Sequence, residues 1–195
     1  MASPIEKIKQ LREETAAGMM DVKRALEESS GDMDGARRVL RERGQAIAAK
    51  KSSRDTHEGL IESYIHFNGK LGVMLEVNCE TDFVARTPEF KAFARNVALH
   101  VASMNPLAVS ESDVPAEAVE EERSIALKQA QDSGKPENIQ EKIVEGRVNK
   151  FVKERALLSQ EFVKEPGKTV NDLLQEAVQR LGENIVVRKF VRYEL

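Results

Sequence analysis

The chain has one cysteine, three histidines, no tryptophan, and aromatic residues at only 5% of its 195 positions. A lone thiol, Cys79, has no internal disulfide partner and, without companion ligands, makes no metal site; this fits a reducing compartment and a cytoplasmic location. Long apolar runs are missing too, since no stretch reaches the roughly 18 residues needed to span a bilayer. The start, Met1-Ala2-Ser3-Pro4-Ile5-Glu6, lacks both the apolar core of a secretory signal and the Arg-rich, acid-poor character of a transit peptide, so the chain reads as mature as written. Nor is there an excess of charge of one sign. The 30 basic and 33 acidic residues leave a net charge of −3, and they are mixed along the sequence. No strong field gathers phosphates by counterion release, which disfavours general nucleic-acid binding.

Material for covalent chemistry is equally thin. An enzyme must bring together a nucleophile, a base and a stabilising group. His57 lies in an irregular stretch, His66 beside a turn and His100 on a helix, and no recognisable catalytic spacing joins them to one another or to Cys79. Pro166-Gly167-Lys168-Thr169 ends like a phosphate-binding loop, but the position five residues before Gly167, where that motif needs glycine, is Phe162. The segment reads as a turn before a helix, with Thr169 as its N-cap. No cofactor is expected.

What is present is a helix-leaning composition, 41% hydrophobic and 32% charged, punctuated by clear start and stop signals. Ser3, Pro4 and Glu6 form a capping box that opens a first helix with Ile5, Ile8 and Leu11 on one face. Gly18 is expected to close it, with Gly18-Met19-Met20 in the interhelical turn. Val22, Ala25 and Leu26 carry a second helix to Gly31, and Asp32 caps a third that runs through Ala36, Val39 and Leu40 to Gly44. Residues 1–45 thus read as a three-helix module. Residues 46–58, with Lys50-Lys51-Ser52-Ser53-Arg54-Asp55, read as a linker or a frayed helix end.

Residues 59–195 read as an α+β core. From Leu60 the apolar period becomes two: Ile61, Ile65 and Phe67 alternate with Tyr64 and His66, then Leu71, Val73, Leu75 and Val77 with polar neighbours. Asn68-Gly69 between them predicts a hairpin with a type I′ turn. Thr87-Pro88 opens a helix carrying Phe90, Phe93, Val97 and Val101, which Asn105-Pro106 stops. Helices over Ala116–Ser133 and Pro136–Arg155 follow, the latter with a narrow stripe through Asn138, Ile139, Ile143 and Gly146. A short extended piece, Glu161-Phe162-Val163, then a helix over Thr169–Leu181 and a terminal strand through Ile185, Val187, Val191 and Tyr193 complete an antiparallel sheet with helices packed on one side.

Two segments invite a partner. Met19 and Met20 offer flexible, polarizable side chains that suit an adaptable apolar contact, or else they fill the helical core. Thr81-Asp82-Phe83-Val84-Ala85-Arg86 sets a carboxylate beside an aromatic ring on a connection. It either protrudes and wedges into a partner, or buries Phe83 under the hairpin with Asp82 capping a turn.

Leu11-Arg12-Glu13-Glu14-Thr15 through Gly18-Met19-Met20-Asp21 resembles the N-terminal signature of the elongation factor Ts family, and Asn78-Cys79-Glu80-Thr81-Asp82-Phe83-Val84-Ala85-Arg86 resembles its second signature. Gly134-Lys135-Pro136, Glu141-Lys142, Glu145-Gly146-Arg147, Glu161-Phe162-Val163 and Arg188-Lys189-Phe190-Val191-Arg192-Tyr193 extend the likeness over nearly the whole chain. The resemblance implies a ubiquitin-associated-like N-terminal module and a core that mediates dimerisation. It also implies guanine nucleotide exchange on elongation factor Tu, without covalent chemistry. Thr81, Asp82, Phe83 and Val84 would dislocate the partner's Mg2+, and Leu11, Arg12, Met19, Met20 and His100 would belong to the contact surface. Longer family members hold two related core subdomains and this chain has room for one, so a homodimer is expected to supply the second. Two other readings compete: a passive adaptor whose helical module binds a peptide or ubiquitin-like surface, and an RNA-binding protein using Lys50-Lys51 and the terminal arginines.

Overall fold

The computed structural model describes residues 3–15, 17–132 and 135–195. Ser133 and Gly134, assigned above to a helix end and a family motif, lie outside the described residues, as do Met1 and Ala2. The described chain is α+β: eight α-helices and one antiparallel three-stranded sheet, with 61% of residues helical. In order these are α1 (Pro4–Thr15), α2 (Met19–Glu28), α3 (Met33–Lys51), β1 (Glu58–Ile65), β2 (Leu71–Cys79), α4 (Asp82–Ala85), α5 (Pro88–Met104), α6 (Ala116–Asp132), α7 (Glu137–Arg155), α8 (Val170–Leu181) and β3 (Ile185–Glu194). The strands lie in the order β1-β2-β3. Contacts divide the chain into two compact units. One comprises Met1–Ile61, Val77–Ala94 and Asp172–Val186; the other comprises Glu62–Glu76, Arg95–Asn171 and Val187–Leu195.

In the first unit, α1 begins as its capping box requires. The Ser3 N–H donates to Glu6 Oε2 at 2.7 Å, and the Glu6 N–H donates to Ser3 Oγ at 3.2 Å. Asp32 Oδ2 accepts from the Gly35 N–H at 2.8 Å and opens α3 in the same way. Leu11, Ala17, Val22, Ala25, Leu26, Ala36 and Leu40 bury together as the core of α1–α3. Each fully buried Leu or Val side chain there contributes on the order of 1.5–3 kcal/mol.

Two glycine boundaries differ from expectation. Gly18 does not close α1, which ends at Thr15; it is the N-cap of α2 at φ −59°, so Met19 and Met20 form the first turn of α2 instead of an interhelical turn. Gly44 does not end α3, which continues to Lys51. Gly44 is buried against the Gln179 carboxamide of α8, and this packing outweighs the weak helix propensity of glycine. The Lys51 ammonium donates to the Gly182 carbonyl, tying the end of α3 to the turn after α8.

The hairpin forms, with the His66 N–H donating to the Leu71 carbonyl at 2.8 Å, but its turn is not type I′. Gly69 alone is left-handed there (φ +69°), and Asn68 is not among the residues at positive φ. The Gly69 N–H closes onto the His66 carbonyl at 2.8 Å, so Phe67 and Asn68 occupy an ordinary turn and Gly69 resolves the twist in a longer loop. On β2, Val73, Leu75, Val77 and Cys79 are buried while Met74 is exposed.

In the second unit, α6 and α7 pack as an antiparallel pair around Ala126, Ala130, Val144 and Val148, with Val119, Ile143 and Val152 at the edges. The stripe of α7 therefore runs through Val144 and Val148, and not through Ile139 and Gly146, which are exposed. The Arg192 guanidinium donates to the Ala102 carbonyl at 3.3 Å, holding the end of β3 to α5. No described helix is long and apolar enough to cross a membrane.

Candidate partner-binding site

Thr81 to Arg86 fold into one short helix with its ends satisfied. Thr81 is the N-cap (φ −128°, ψ 152°) and its Oγ1 accepts from the Val84 N–H at 3.4 Å. Asp82 follows in the first turn, where the helix dipole favours a carboxylate, and its Oδ2 pairs with Arg86 at 2.9 Å. Ala85 faces inward and is buried, Val84 is half-buried, and Phe83 is 78% exposed. Phe83 is therefore not packed under the hairpin, and Thr81, not Asp82, is the cap.

Four residues are too few to hold a helix in water by propensity alone. The brace is a reciprocal clamp to the turn between α8 and β3. Glu183 Oε2 accepts from the N–H groups of Glu80 and Thr81 at 3.1 and 3.0 Å, and its Oε1 accepts from the Thr81 hydroxyl at 2.6 Å. In return Glu80 Oε1 accepts from the Asn184 N–H at 2.6 Å and from Arg54 at 3.3 Å. The Asn184 N–H, followed by the charge of Arg54, holds the Glu80 carboxyl below the usual carboxylate range. Asn184 is itself buried, and its Nδ2 donates to the Arg54 carbonyl at 2.8 Å. Below α4 the Cys79 thiol donates to the Thr81 carbonyl at 3.2 Å. Burial, reinforced by the nearby Glu183 carboxylate, pushes this thiol up to about 11, so it stays protonated and acts as a core group.

The N-terminal candidates separate by burial. Leu11 is fully buried among α1–α3, whereas its neighbour Arg12 is exposed. Met19 and Met20 are 56% and 58% exposed on the first turn of α2, so they do not fill the helical core. Arg12, Met19, Met20, Asp82 and Phe83 all belong to the first unit.

His100 belongs to the second unit and has no exposed surface. Its Nδ1 accepts from the Val163 N–H at 3.2 Å, which leaves the ring proton on Nε2 to donate to Gln160 Oε1 at 3.0 Å. Burial, opposed by the Gln160 hydrogen bond, lowers its pKa. The Phe162 ring lies 5.9 Å from the imidazole, centroid to centroid. The neutral ring fastens the segment after α7 from inside.

Glu183 and Asn184 carry no signal in the local sequence pattern. They stand about a hundred positions from the residues they brace, and only the pairing of β2 with β3 brings them together.

The family profile described as "Elongation factor TS" matches residues 6–195. The elongation factor Ts of Rubrobacter xylanophilus is 71% identical over 195 residues, covering all of both chains. That of Herpetosiphon aurantiacus is 55% identical over 195 residues, covering 100% of this chain and 98% of the relative. That of Carboxydothermus hydrogenoformans is 55% identical over 188 residues, covering 96% and 87%. A match of this extent spans both signature segments and the elements that brace them, and the chain belongs to the elongation factor Ts family of translation elongation proteins.

Proposed function

We propose that this chain is a guanine nucleotide exchange factor for elongation factor Tu, acting in the cytoplasm without covalent chemistry of its own. It docks through Arg12, Met19 and Met20, with Leu11 supporting them from the core. It then presses α4 into the nucleotide domain, where Asp82 and Phe83, held by Thr81 and Val84, dislocate the bound Mg2+ so that GDP leaves and GTP enters. The observation that carries this reading is Phe83, an aromatic side chain 78% exposed on a helix whose N-terminus is anchored on both sides. A large apolar ring held rigidly in solvent is suited to fill a partner's pocket at small entropic cost.

Mg2+ demands near-ideal octahedral geometry and bridges protein oxygens to phosphates, so a small displacement of one ligand weakens the nucleotide's hold. By linkage, the factor prefers empty partner over nucleotide-bound partner by the ratio in which it weakens nucleotide binding. A shift of about 10⁴-fold corresponds to about 5.5 kcal/mol of differential binding. A few inserted side chains, backed by remote docking contacts, are of this size.

His100 contributes from inside, through Gln160 and Val163. We further infer a homodimer that pairs the open face of the sheet. Ile65, Met74, Val191 and Tyr193 are all exposed. Ile65 lies beside Gly72 on the face that Met74 shares, and Val191 and Tyr193 are exposed toward the end of β3, where Lys189 pairs with Glu76 of β2 at 3.3 Å.

The test is release of labelled GDP from elongation factor Tu with catalytic amounts of this chain, beside an Asp82→Ala, Phe83→Ala double variant. Acceleration by wild type and none by the variant is the expected result. Equal acceleration by both would move the wedge elsewhere, and no acceleration by either would sink the exchange reading in favour of a passive adaptor.

A further inference from the structure

We infer that Glu183 is a positioning residue for exchange: its carboxylate sets the angle at which α4 presents Phe83. This inference rests on the exchange reading above. The Glu183 carboxylate accepts from three donors: two backbone N–H groups, at 3.1 and 3.0 Å, and one hydroxyl, at 2.6 Å. An acceptor-only group matches this set, and charge-assisted bonds to it are the strong ones.

The Thr81 hydroxyl transmits the constraint. Because its proton goes to Glu183 Oε1, its lone pairs remain for the Val84 N–H, and this bond is the side-chain cap of α4. Glu183 therefore fixes the backbone immediately before α4 and the hydroxyl that caps its first turn, while touching neither Asp82 nor Phe83 through any of these bonds. Glu80 closes the clamp from the other side through the Asn184 N–H, so the turn at Glu183-Asn184 and the turn at Glu80-Thr81 hold each other. Phe83 itself is mostly surrounded by solvent, and its direction is set by the helix that carries it.

The consequence differs from that of a docking residue. Without the carboxylate the ring is still present but samples many directions, so formation of the encounter complex survives and the step that expels nucleotide slows. Glu183→Ala should lower the turnover number for GDP release about tenfold while KM for Tu·GDP stays within about threefold. Added to Phe83→Ala it should cost nothing more, because residues acting through one side chain are not additive. In the free chain, amide hydrogen exchange at Glu80, Thr81 and Val84 should speed up beyond any change in the helical core.

Should Glu183→Ala fail to fold, Glu183→Gln replaces it. Gln keeps one oxygen for the two amides but turns a donor toward the Thr81 hydroxyl, and its loss of about threefold should likewise vanish in the Phe83→Ala background. A wild-type turnover for the Glu183 variant, or a loss that persists undiminished on Phe83→Ala, overturns the inference alone, provided wild type is fast and Phe83→Ala slow. If wild type does not accelerate release, or Phe83→Ala matches it, the exchange reading falls and takes this inference with it.

Discussion

Arg41 on α3 and Asp172 on α8 meet fork to fork, Nε to Oδ1 at 3.0 Å and Nη2 to Oδ2 at 2.8 Å. The carboxylate is buried and the guanidinium about half exposed. The pair joins helices 131 positions apart, as the Lys51–Gly182 contact does one helix end away. Arg41→Ala removes the cation from a buried carboxylate, and breaking such a pair is costly even when the intact pair adds little. Because Arg41 is partly solvated, the expected loss is roughly 2 kcal/mol, below the range for fully buried pairs. Urea unfolding of Arg41→Ala, with Asp172→Asn and the double variant completing the cycle, checks it; a coupling near zero would make the pair incidental.

Leu11 and the two methionines that follow it in the same signature should answer mutation in opposite ways. Leu11→Ala empties a fully buried site among α1–α3 and should cost about 3 kcal/mol. Met19→Ala and Met20→Ala remove exposed side chains and should change stability by no more than about 0.5 kcal/mol. On the proposed function, loss of both should weaken binding of elongation factor Tu about tenfold, or about 1.4 kcal/mol. Calorimetry on the complex and thermal melts of the free variants separate the two classes. Unchanged affinity would remove the methionines from the docking surface.

His100 makes stability depend on pH. Burial lowers its folded pKa from the ordinary 6.5, so on acidification the unfolded chain takes up a proton that the folded chain resists. The stability from this group is present above the unfolded value and is lost as pH falls from there through the folded value. Wild type should therefore lose stability as the pH falls below about 6.5, before most carboxylates titrate. His100→Gln, which has no proton to bind in that window, should show a flatter slope whatever its absolute stability. Parallel slopes for the two proteins would assign the dependence elsewhere.

Features written within three or four residues were legible in the sequence. The Ser3–Glu6 box, the Asp32 cap, the Thr87-Pro88 start and the Asn105-Pro106 stop each use a side chain or ring close to the backbone it controls. The Thr87 hydroxyl accepts from the Phe90 N–H at 3.2 Å, and Asn105 adopts φ +46° after α5. Where tertiary packing decides, local signals misled. Gly44 looks like a stop until α8 supplies Gln179 beside it, and Asn68-Gly69 suggests a tighter turn than the loop that forms. The site was half legible for the same reason. A segment of four helical residues has too little period to declare which side chain faces out, so the exposure of Phe83 had to be seen. The clamp that holds it joins Thr81 to a residue 102 positions away.

The open face of the sheet offers the last prediction. Tyr193 is 73% exposed, Ile65 67%, Met74 52% and Val191 42%, and Lys189 of β3 pairs with Glu76 of β2. An antiparallel sheet can leave one face to water, but such a face is normally polar. This one is apolar with opposite charges side by side, which suits a self-complementary contact about a two-fold axis, because the Lys189 of one copy can meet the Glu76 of the other. Met74→Arg and Val191→Arg would each set an unpaired cation at the centre of that contact and should weaken association at least about tenfold while leaving the fold intact. Sedimentation equilibrium at micromolar concentration reads this directly. A wild-type chain that is already monomeric there overturns the dimer. If the variants are monomeric and their exchange rate falls with dissociation, one elongation factor Tu draws on both subunits; full activity in the monomer would mean that a single α4 and a single N-terminal surface suffice.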